Sequence, residues 1–268
     1  MKRDLFGKIS KYMKVFAVVL AVAMLTACGG AGASKLLSGI EQRGIIRVGF
    51  KTKTPKFAFK DEDGNINGFE PELAKLLSEK ITEDNVHVRE VEVNSCTAYP
   101  LLQSEDVDFI VSTMAYEEGR SKSVSYSKPY YIDAAGLMCL KGGFASADDI
   151  VKGGGKIGYT NPDVIGAMLT GLQQDKKLDF EPISIASYPE AVEALKNGTI
   201  DAFCSGFATL CAMVDVDTTI LPESLGDIKY CVVLSGGEQK LAEKISQTIT
   251  EIEKSGELQQ LLDKWGIE

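Results

Sequence analysis

The sequence predicts an α/β fold in which two lobes of similar design face each other across a cleft. Three observations lead to this prediction. Short apolar segments of strand character alternate with amphipathic helical segments, one such unit occurs twice, and the chain ends in helical periodicity. This alternation is typical of largely parallel sheets covered by helices. With 268 residues, the chain is long enough for two domains with a core each.

The first unit of the alternation runs from residue 45 to residue 112. The apolar run "IIRVGF" (45–50) predicts a strand, and "GFEPELAKLLSEKI" (68–81) places its apolar residues at helical spacing. "HVREVEV" (87–93) and "DVDFIVS" (106–112) predict two further strands, with a short helix in "TAYPLLQS" (97–104) between them. The unit is therefore strand, helix, strand, helix, strand.

The second unit repeats this order and is followed by a C-terminal helical region. The helix predicted at "NPDVIGAMLTGLQQ" (161–174) opens with an Asn cap and a proline in its first turn. The remaining segments are strands at 156–160, 181–187, 199–205 and 228–235, a helix at 188–198, and helical periodicity over 241–265.

One segment of the first unit recurs in the second without a gap. "LLQSEDVDFIVS" (101–112) superposes on "ALKNGTIDAFCS" (194–205), so that Asp108 matches Asp201 and Ser112 matches Ser205. Each copy is a helix end, a turn and a strand. Ligands of open α/β sheets bind beyond the carboxyl ends of the strands. The repeat therefore predicts two lobes whose strand ends face each other and form a cleft.

The N-terminus predicts export. Residues 1–14 carry five basic residues and one acid, and an uncharged apolar run follows from Val15 to Leu25, too short to span a bilayer. "LTAC" (25–28) resembles a bacterial lipobox, which implies a signal peptide at 1–27 and lipidation of Cys28. An ordinary signal peptide remains the alternative. The glycine-rich start of 28–39 predicts a flexible tether, so we expect an exported protein anchored by lipid to the cell membrane, on its extracellular or periplasmic face.

Composition excludes several classes of function. The net charge of −9 becomes −13 when five bases and one acid leave with the signal peptide, and such an acidic chain argues against nucleic-acid binding. Five cysteines remain after Cys28, an odd number without metal-ligand spacing, so we expect no metal and no cofactor. Buried thiols are the expectation, with a Cys204–Cys211 disulfide left open.

Five blocks in order give the chain a family resemblance from about residue 44 to its end. They are "IIRVGF", "KDEDGNINGFEPELAKLL", "LLQSEDVDFIVSTMAYEEGRSKSVSYSKPYY", "YPEAVEALKNGTIDAF" and "SGELQQLLDKWG". The chain resembles the bacterial extracellular solute-binding proteins of family 3, the amino-acid-binding components of ABC importers. The resemblance implies the type II periplasmic-binding-protein-like fold, with two hinge strands and closure on the ligand. It places lobe 1 at 40–131 plus 232–268 and lobe 2 at 132–231.

The resemblance also implies how lobe 1 holds a carboxylate. The family's arginine that receives the ligand's α-carboxylate falls at Arg120, and a guanidinium presents a planar fork to both oxygens. Backbone N–H groups and hydroxyls around Ser112 and Thr113 would complete the site. The alternative is a surface arginine that pairs with Glu117 and Glu118.

Several positions depart from the family pattern. The aspartate that usually holds the ligand's ammonium falls at Gly206, and a usual hydroxyl falls at Ala115. The usual cleft aromatic falls at Thr54, and a frequent acid falls at Lys51. A desolvated ammonium needs a partner, so another acid must take over or the ligand differs.

The lobe-2 loop "TNPDV" lines the cleft in the family and supplies the remaining candidates. These are Thr160, Asn161 and Asp163, of which Asp163 is the nearest acid that could replace the missing one. Its alternative role is structural, since an acid in the first turn of a helix suits the helix dipole.

Three classes of function follow. The first is a monomeric receptor that delivers an amino acid or related small carboxylate to a membrane ABC permease. The second is a sensory or orphan lipoprotein without a transporter, which nothing in the chain separates from the first. The third is an enzyme, since some relatives of the fold are dehydratases. The only histidine, His87, falls in a predicted strand away from the cleft, and no catalytic motif is present, so we expect binding without catalysis.

Overall fold

The computed structural model describes residues 34–83, 86–94, 96–160 and 162–267, without the side chains at 162, 163 and 176. The predicted signal peptide, Cys28, residues 29–33 of the predicted tether and Asn161 lie outside the described residues.

Helices and strands alternate over the described part of the chain, and the predicted segments occur in the predicted order, with further elements between them. The α-helices are α1 (Lys35–Arg43), α2 (Phe69–Thr82), α3 (Ala98–Gln103), α4 (Ala147–Val151), α5 (Ala167–Lys176), α6 (Tyr188–Lys196), α7 (Phe207–Met213), α8 (Gln239–Ser255) and α9 (Glu257–Trp265). The strands are β1 (Ile45–Lys51), β2 (Lys53–Thr54), β3 (Ala58–Lys60), β4 (Ile66–Asn67), β5 (His87–Val93), β6 (Phe109–Ile110), β7 (Val124–Leu140), β8 (Gly155–Tyr159), β9 (Phe180–Ser184), β10 (Ala202–Gly206), β11 (Thr218–Ile220) and β12 (Asp227–Ser235). A 3-10 helix (Glu118–Arg120) and a π-helix (Pro162–Gly166) complete the set.

Two parallel halves of sheet are joined by two long strands. In the first half β1 lies parallel to β5 and β6, and in the second half β8 lies parallel to β9 and β10. The strand order is β5-β1-β6-β12-β7-β10-β8-β9, with β11 paired to β7. Strands β7 and β12 are antiparallel to each other and pass between the halves. They are the two hinge strands of the predicted two-lobed fold.

The sequence repeat is a structural repeat. The Asp108 carboxylate accepts from the Arg47 N–H at 2.7 Å, and the Asp108 N–H donates to the Arg47 carbonyl at 2.8 Å. Asp201 makes the same two bonds with Lys156, at 2.7 and 2.8 Å. In both halves an aspartate at the start of a strand therefore ties that strand to its parallel neighbour.

The predicted tether ends earlier than residue 39. The Ser34 hydroxyl accepts from the Leu37 N–H at 3.1 Å and caps α1, whose residues Leu37 and Ile40 are buried. Residues 35–39 are helical because this apolar pair packs into the first half of the molecule. The lobe boundaries proposed from the sequence, 131/132 and 231/232, fall inside β7 and β12.

The C-terminal helices return to the first half of the molecule. Gly256, with φ of 82°, ends α8 and turns the chain into α9. Lys244 of α8 donates to the Ile81 carbonyl at 2.7 Å, and Lys264 of α9 pairs with Glu72 at 2.7 Å. Both contacts are made to α2, so the last two helices cover the same sheet face as α2.

Candidate functional site

A cavity of about 350 Å³ lies between the two halves, beyond the carboxyl ends of β1, β8 and β10. Its volume is in the range of small-molecule sites. Its lining comes from both halves and from β12: Lys51, Thr52, Lys53, Thr54, Glu92, Val93, Asn94 and Thr113 from the first, Thr160, Val164, Ile165, 186–189, Ser205 and Gly206 from the second, and Ile228 and Tyr230 from β12.

Five of the residues predicted from the sequence line this cavity: Lys51, Thr54, Thr113, Thr160 and Gly206. Each is brought there by the fold: Lys51, Thr54 and Gly206 end their strands, Thr160 follows directly after β8, and Thr113 lies three residues past the end of β6. The carboxyl ends of parallel strands meet at one edge of a sheet. The two halves therefore place these positions around one space.

Ser112 and Ala115 support the wall and do not line the cavity. The Ser112 side chain is fully buried, and its Oγ accepts from the Lys51 N–H at 2.6 Å. Ala115 is buried and forms an isolated bridge with Tyr230. The hydroxyl of Ser112 is thus used to tie the loop after β6 to the end of β1.

The structure does not bring Arg120 to the cavity. Arg120 ends the 3-10 helix, where its Nε donates to Glu117 at 2.7 Å. Its guanidinium carbon lies 4.3 Å from the centroid of the Tyr99 ring, and its side chain is 34% exposed. This cation–π contact and the ion pair hold the side chain on the first half. Its role as a carboxylate anchor stays a prediction.

Two other candidates, Asn161 and Asp163, follow β8, and the structure does not describe their side chains. Asn161 is outside the described residues. The backbone of Asp163 lies in the π-helix, but its side chain is not described. Their contacts with a ligand stay predictions.

Glu70 was missed from the sequence, although it stands behind the cavity wall. It is fully buried at the start of α2, where Oε1 accepts from the Tyr130 hydroxyl at 2.5 Å and from the Thr113 N–H. Its Oε2 is buried without a hydrogen-bond partner among the described residues. Burial raises the pKa of Glu70 to about 7, although Tyr130, Thr113 and the positive charge of Lys51 oppose the rise.

The Glu70 contact also governs Thr113. Thr113 has φ of 43°, a left-handed conformation that non-glycine residues adopt rarely, and its N–H is held by the Glu70 carboxyl. That N–H was expected to bind the ligand, whereas here it already donates within the protein. A glutamate in the second position of a predicted helix carries no sequence signal for such a role.

The second half contributes an aromatic wall. Tyr188 lines the cavity and packs edge-on against Phe203, with ring centroids 6.1 Å apart. Burial raises the pKa of the Tyr188 hydroxyl, and hydrogen bonds to Ser205 and Thr160 lower it. Tyr188 begins α6 and was predicted only as a helix residue. Its position at the cavity follows from the tertiary packing of α6.

The charged side chains of the lining have both signs. Lys51 and Lys53 are cationic, whereas Glu92 is paired with Lys60 at 2.5 Å and hydrogen-bonded to Thr52. These partners lower the pKa of Glu92, so its charge is already balanced within the first half. The described residues contain no group of three or more metal-ligating side chains. A cavity with hydroxyls, backbone groups and both charges suits a small zwitterion or anion.

Fold and cavity together define a two-lobed binding protein with hinge strands. The family model of the bacterial extracellular solute-binding proteins, family 3, matches residues 46–268. The chain belongs to this family, as the sequence predicted. Within the described residues, no helix is both long and apolar enough to cross a membrane.

Individual relatives show the same class. The chain is similar to the ABC transporter glutamine-binding protein GlnH of Bacillus subtilis (strain 168), with 30% identity over 94% of this chain and 97% of that protein. It is also similar to an ancestral arginine-binding protein solved with arginine, at 28% identity and a TM-score of 0.71 over 83% of this chain and 98% of that one. A structure of an ancestral arginine-binding protein bound to glutamine has the same identity and TM-score, over 84% and 99%.

Proposed function

We propose that this protein is the receptor of an ABC importer and that it captures an amino acid or a related small carboxylate. The observation that carries the proposal is the cavity of about 350 Å³ whose lining is shared between two halves joined by hinge strands. Relatives whose names record glutamine or arginine as ligand support the ligand class.

Closure follows from the shared lining. Lys51, Thr54 and Thr113 line the cavity on one side, and Thr160 and Gly206 line it on the other, so a bound ligand would contact both halves. A ligand favours the closed form by the contacts that it makes only there. We therefore propose that binding itself drives a hinge motion at β7 and β12, and that the chain binds its ligand without catalysing a reaction.

The N-terminal proposal is an exported lipoprotein. A signal peptide at 1–27 and a lipidated Cys28 would anchor a monomer next to its permease, on the extracellular or periplasmic face of the membrane. Cys28→Ala is expected to release the protein from the membrane fraction, because two or more acyl chains are needed for firm anchoring. Full membrane retention of this variant would contradict the lipid anchor.

The ligand class is tested by thermal shift. The purified protein is stripped of co-purified ligand by unfolding and refolding, and its melting temperature is measured with each amino acid, with dicarboxylates and with amine-free analogues. A ligand that binds only the native state raises the melting temperature, so we expect a rise with one class of amino acid. An unchanged melting temperature with every compound of the panel would contradict the proposed function.

A further inference from the structure

A buried carboxylate lies directly behind the cavity wall at Gly206. It belongs to Asp133 on hinge strand β7, which is 2% exposed and pairs in register with Ile228 of β12. The Tyr230 hydroxyl donates to Asp133 Oδ2 at 3.3 Å. Gly206, Ile228 and Tyr230 all line the cavity, so three lining residues separate the carboxylate from the cavity.

The Asp133 carboxylate occupies the place of a side chain on residue 206. A Cβ built on Gly206 would lie 2.1 Å from Asp133 Oδ2 and 2.5 Å from the Tyr230 hydroxyl oxygen. Gly206 is also the N-cap of α7 and lacks a capping side chain, whereas Asp133 Oδ1 accepts from the Ala208 N–H at 3.3 Å. β7 therefore supplies, from another part of the chain, the acceptor that residue 206 does not carry.

The charge of Asp133 is poorly balanced within the protein. Burial is the strongest influence on the pKa of this carboxyl and raises it, and the opposing hydrogen bonds come from uncharged groups, three backbone N–H groups and the Tyr230 hydroxyl. Among the described lining residues the acid is Glu92, which is half exposed and already paired with Lys60. A buried carboxylate without a cation is costly, and an arriving cation offsets that cost.

We infer that Asp133 receives the ammonium group of an amino-acid ligand, in the space that a side chain on residue 206 would otherwise fill. The inference rests on the proposed function, since it needs an amino acid in the cavity. The acid that compensates for the missing aspartate at residue 206 would then lie on a hinge strand. The residue that recognises the ammonium charge would be part of the segment that bends when the two halves close.

The test measures how strongly the protein prefers an amine. Isothermal titration gives the affinity of the stripped protein for its best amino acid and for the amine-free analogue of that amino acid. Asp133→Asn keeps the size and one acceptor oxygen but removes the charge. We expect it to lose roughly 30-fold to several-thousand-fold in affinity for the amino acid, because one partner of a buried charge pair is gone. Its affinity for the amine-free analogue is expected to stay within a few-fold.

Two further variants separate recognition from structure. Asp108→Asn removes an equally buried carboxylate that does not line the cavity, and it is expected to leave the ratio of the two affinities unchanged. Asp133→Ala combined with Gly206→Asp moves the acid to residue 206, whose φ of −61° suits any residue. The first substitution removes the carboxylate that a Cβ on residue 206 would meet, and the Tyr230 hydroxyl, 2.5 Å from that Cβ, has to shift. We expect this double variant to recover the preference for the amine.

Each outcome decides between distinct conclusions. If the wild type binds an amino acid and Asp133→Asn keeps the same preference for the amine, the inference is overturned and the proposed function stands. If the wild type binds only amine-free carboxylates, the inference is also overturned. If the wild type binds nothing in the panel, the proposed function fails first. Should Asp133→Asn not fold, Asp133→Ser is measured in its place, because it also removes the charge and keeps a small polar group, and an unchanged preference for the amine in that variant would overturn the inference.

Discussion

The carboxyl of Glu70 connects helix α2 to the cavity wall, and it does so through two hydrogen bonds to one oxygen. Its contact with the Thr113 N–H holds a loop residue in a left-handed conformation, and Tyr130 closes the network from β7. Neutral and charged forms of Glu70 are both accessible near pH 7, because burial raises its pKa to about 7. The wall at Thr113 is therefore sensitive to the protonation of one buried group.

Glu70 gives a prediction about stability and pH. Its folded pKa is raised from 4.5, so the native state binds the proton more tightly than the unfolded chain, and this contribution to stability is lost as the pH rises from 4.5 to about 7. The loss amounts to about 3 kcal/mol over that window. Glu70→Gln, which keeps an acceptor oxygen, is expected to remove this part of the pH dependence.

Urea unfolding of wild type and Glu70→Gln between pH 4.5 and 7.5 measures the difference directly. Comparing the two proteins cancels the opposite contribution of acids whose pKa is lowered, such as Asp215. Parallel pH profiles would show that Glu70 ionises normally in the folded protein.

Arg120 gives a prediction about binding without a change in stability. Arg120→Ala is expected to abolish the ligand-induced thermal shift, because the family's carboxylate anchor falls at this residue and a guanidinium fork binds both oxygens of a carboxylate. The melting temperature without ligand should change little, since partly exposed ion pairs contribute about 1 kcal/mol or less.

Glu117→Gln is the matched control, because it removes the partner of Arg120 and keeps the guanidinium. Binding through Arg120 requires the guanidinium to leave its place over Tyr99. Unchanged affinity in Arg120→Ala would leave Arg120 as a structural partner of Glu117, and Lys51 and Lys53 as the cationic groups of the cavity lining.

At the scale of elements, the repeated aspartates tie strands together in both halves but in different surroundings. The Asp108 side chain is fully buried and also binds Arg47 at 2.8 Å and Arg43. Asp201 bonds the Lys156 N–H at a more exposed position. The aspartate of the first half therefore balances the charge of two arginines in addition to its backbone hydrogen bonds.

This difference predicts unequal losses of stability. Asp108→Asn is expected to lower the free energy of unfolding by about 2–4 kcal/mol, because two guanidinium groups lose their counter-charge. Asp201→Asn is expected to cost about 1 kcal/mol, the value of one hydrogen bond. Urea unfolding measures both, and equal losses would contradict a role for the arginines.

At the scale of the whole molecule, the cysteines divide into two classes by their depth in the fold. Cys139, Cys204 and Cys231 are buried thiols on the strands that join and form the halves, whereas Cys96 and Cys211 are exposed thiols. The disulfide left open from the sequence, Cys204–Cys211, is absent from the described structure. Burial raises the pKa of Cys204 and of Cys231 to about 12.

Alkylation is therefore expected to modify two of these five thiols in the native protein. A thiol reacts as its thiolate, so at pH 8 the two with a pKa of about 12 are protected both by burial and by protonation. Iodoacetamide labelling followed by peptide mass spectrometry should find Cys96 and Cys211 modified first, and the other three only after unfolding. Fast labelling of Cys231 would show that the β7–β12 hinge opens more readily than its packing implies.

Local periodicity and contiguous motifs were enough to predict the alternation of strands and helices, the repeat and the family. Lys51, Thr54, Thr113, Thr160 and Gly206, which line the cavity, were predicted from the positions that the family resemblance assigns to the ligand site. Tertiary structure alone decided how α1 docks, where Arg120 lies, and that Glu70 and Asp133 stand behind the wall. The physical reason is that burial and charge pairing join residues far apart in the chain. Asp133 fills the space beside Gly206 only because β7 and β10 are neighbours in the sheet.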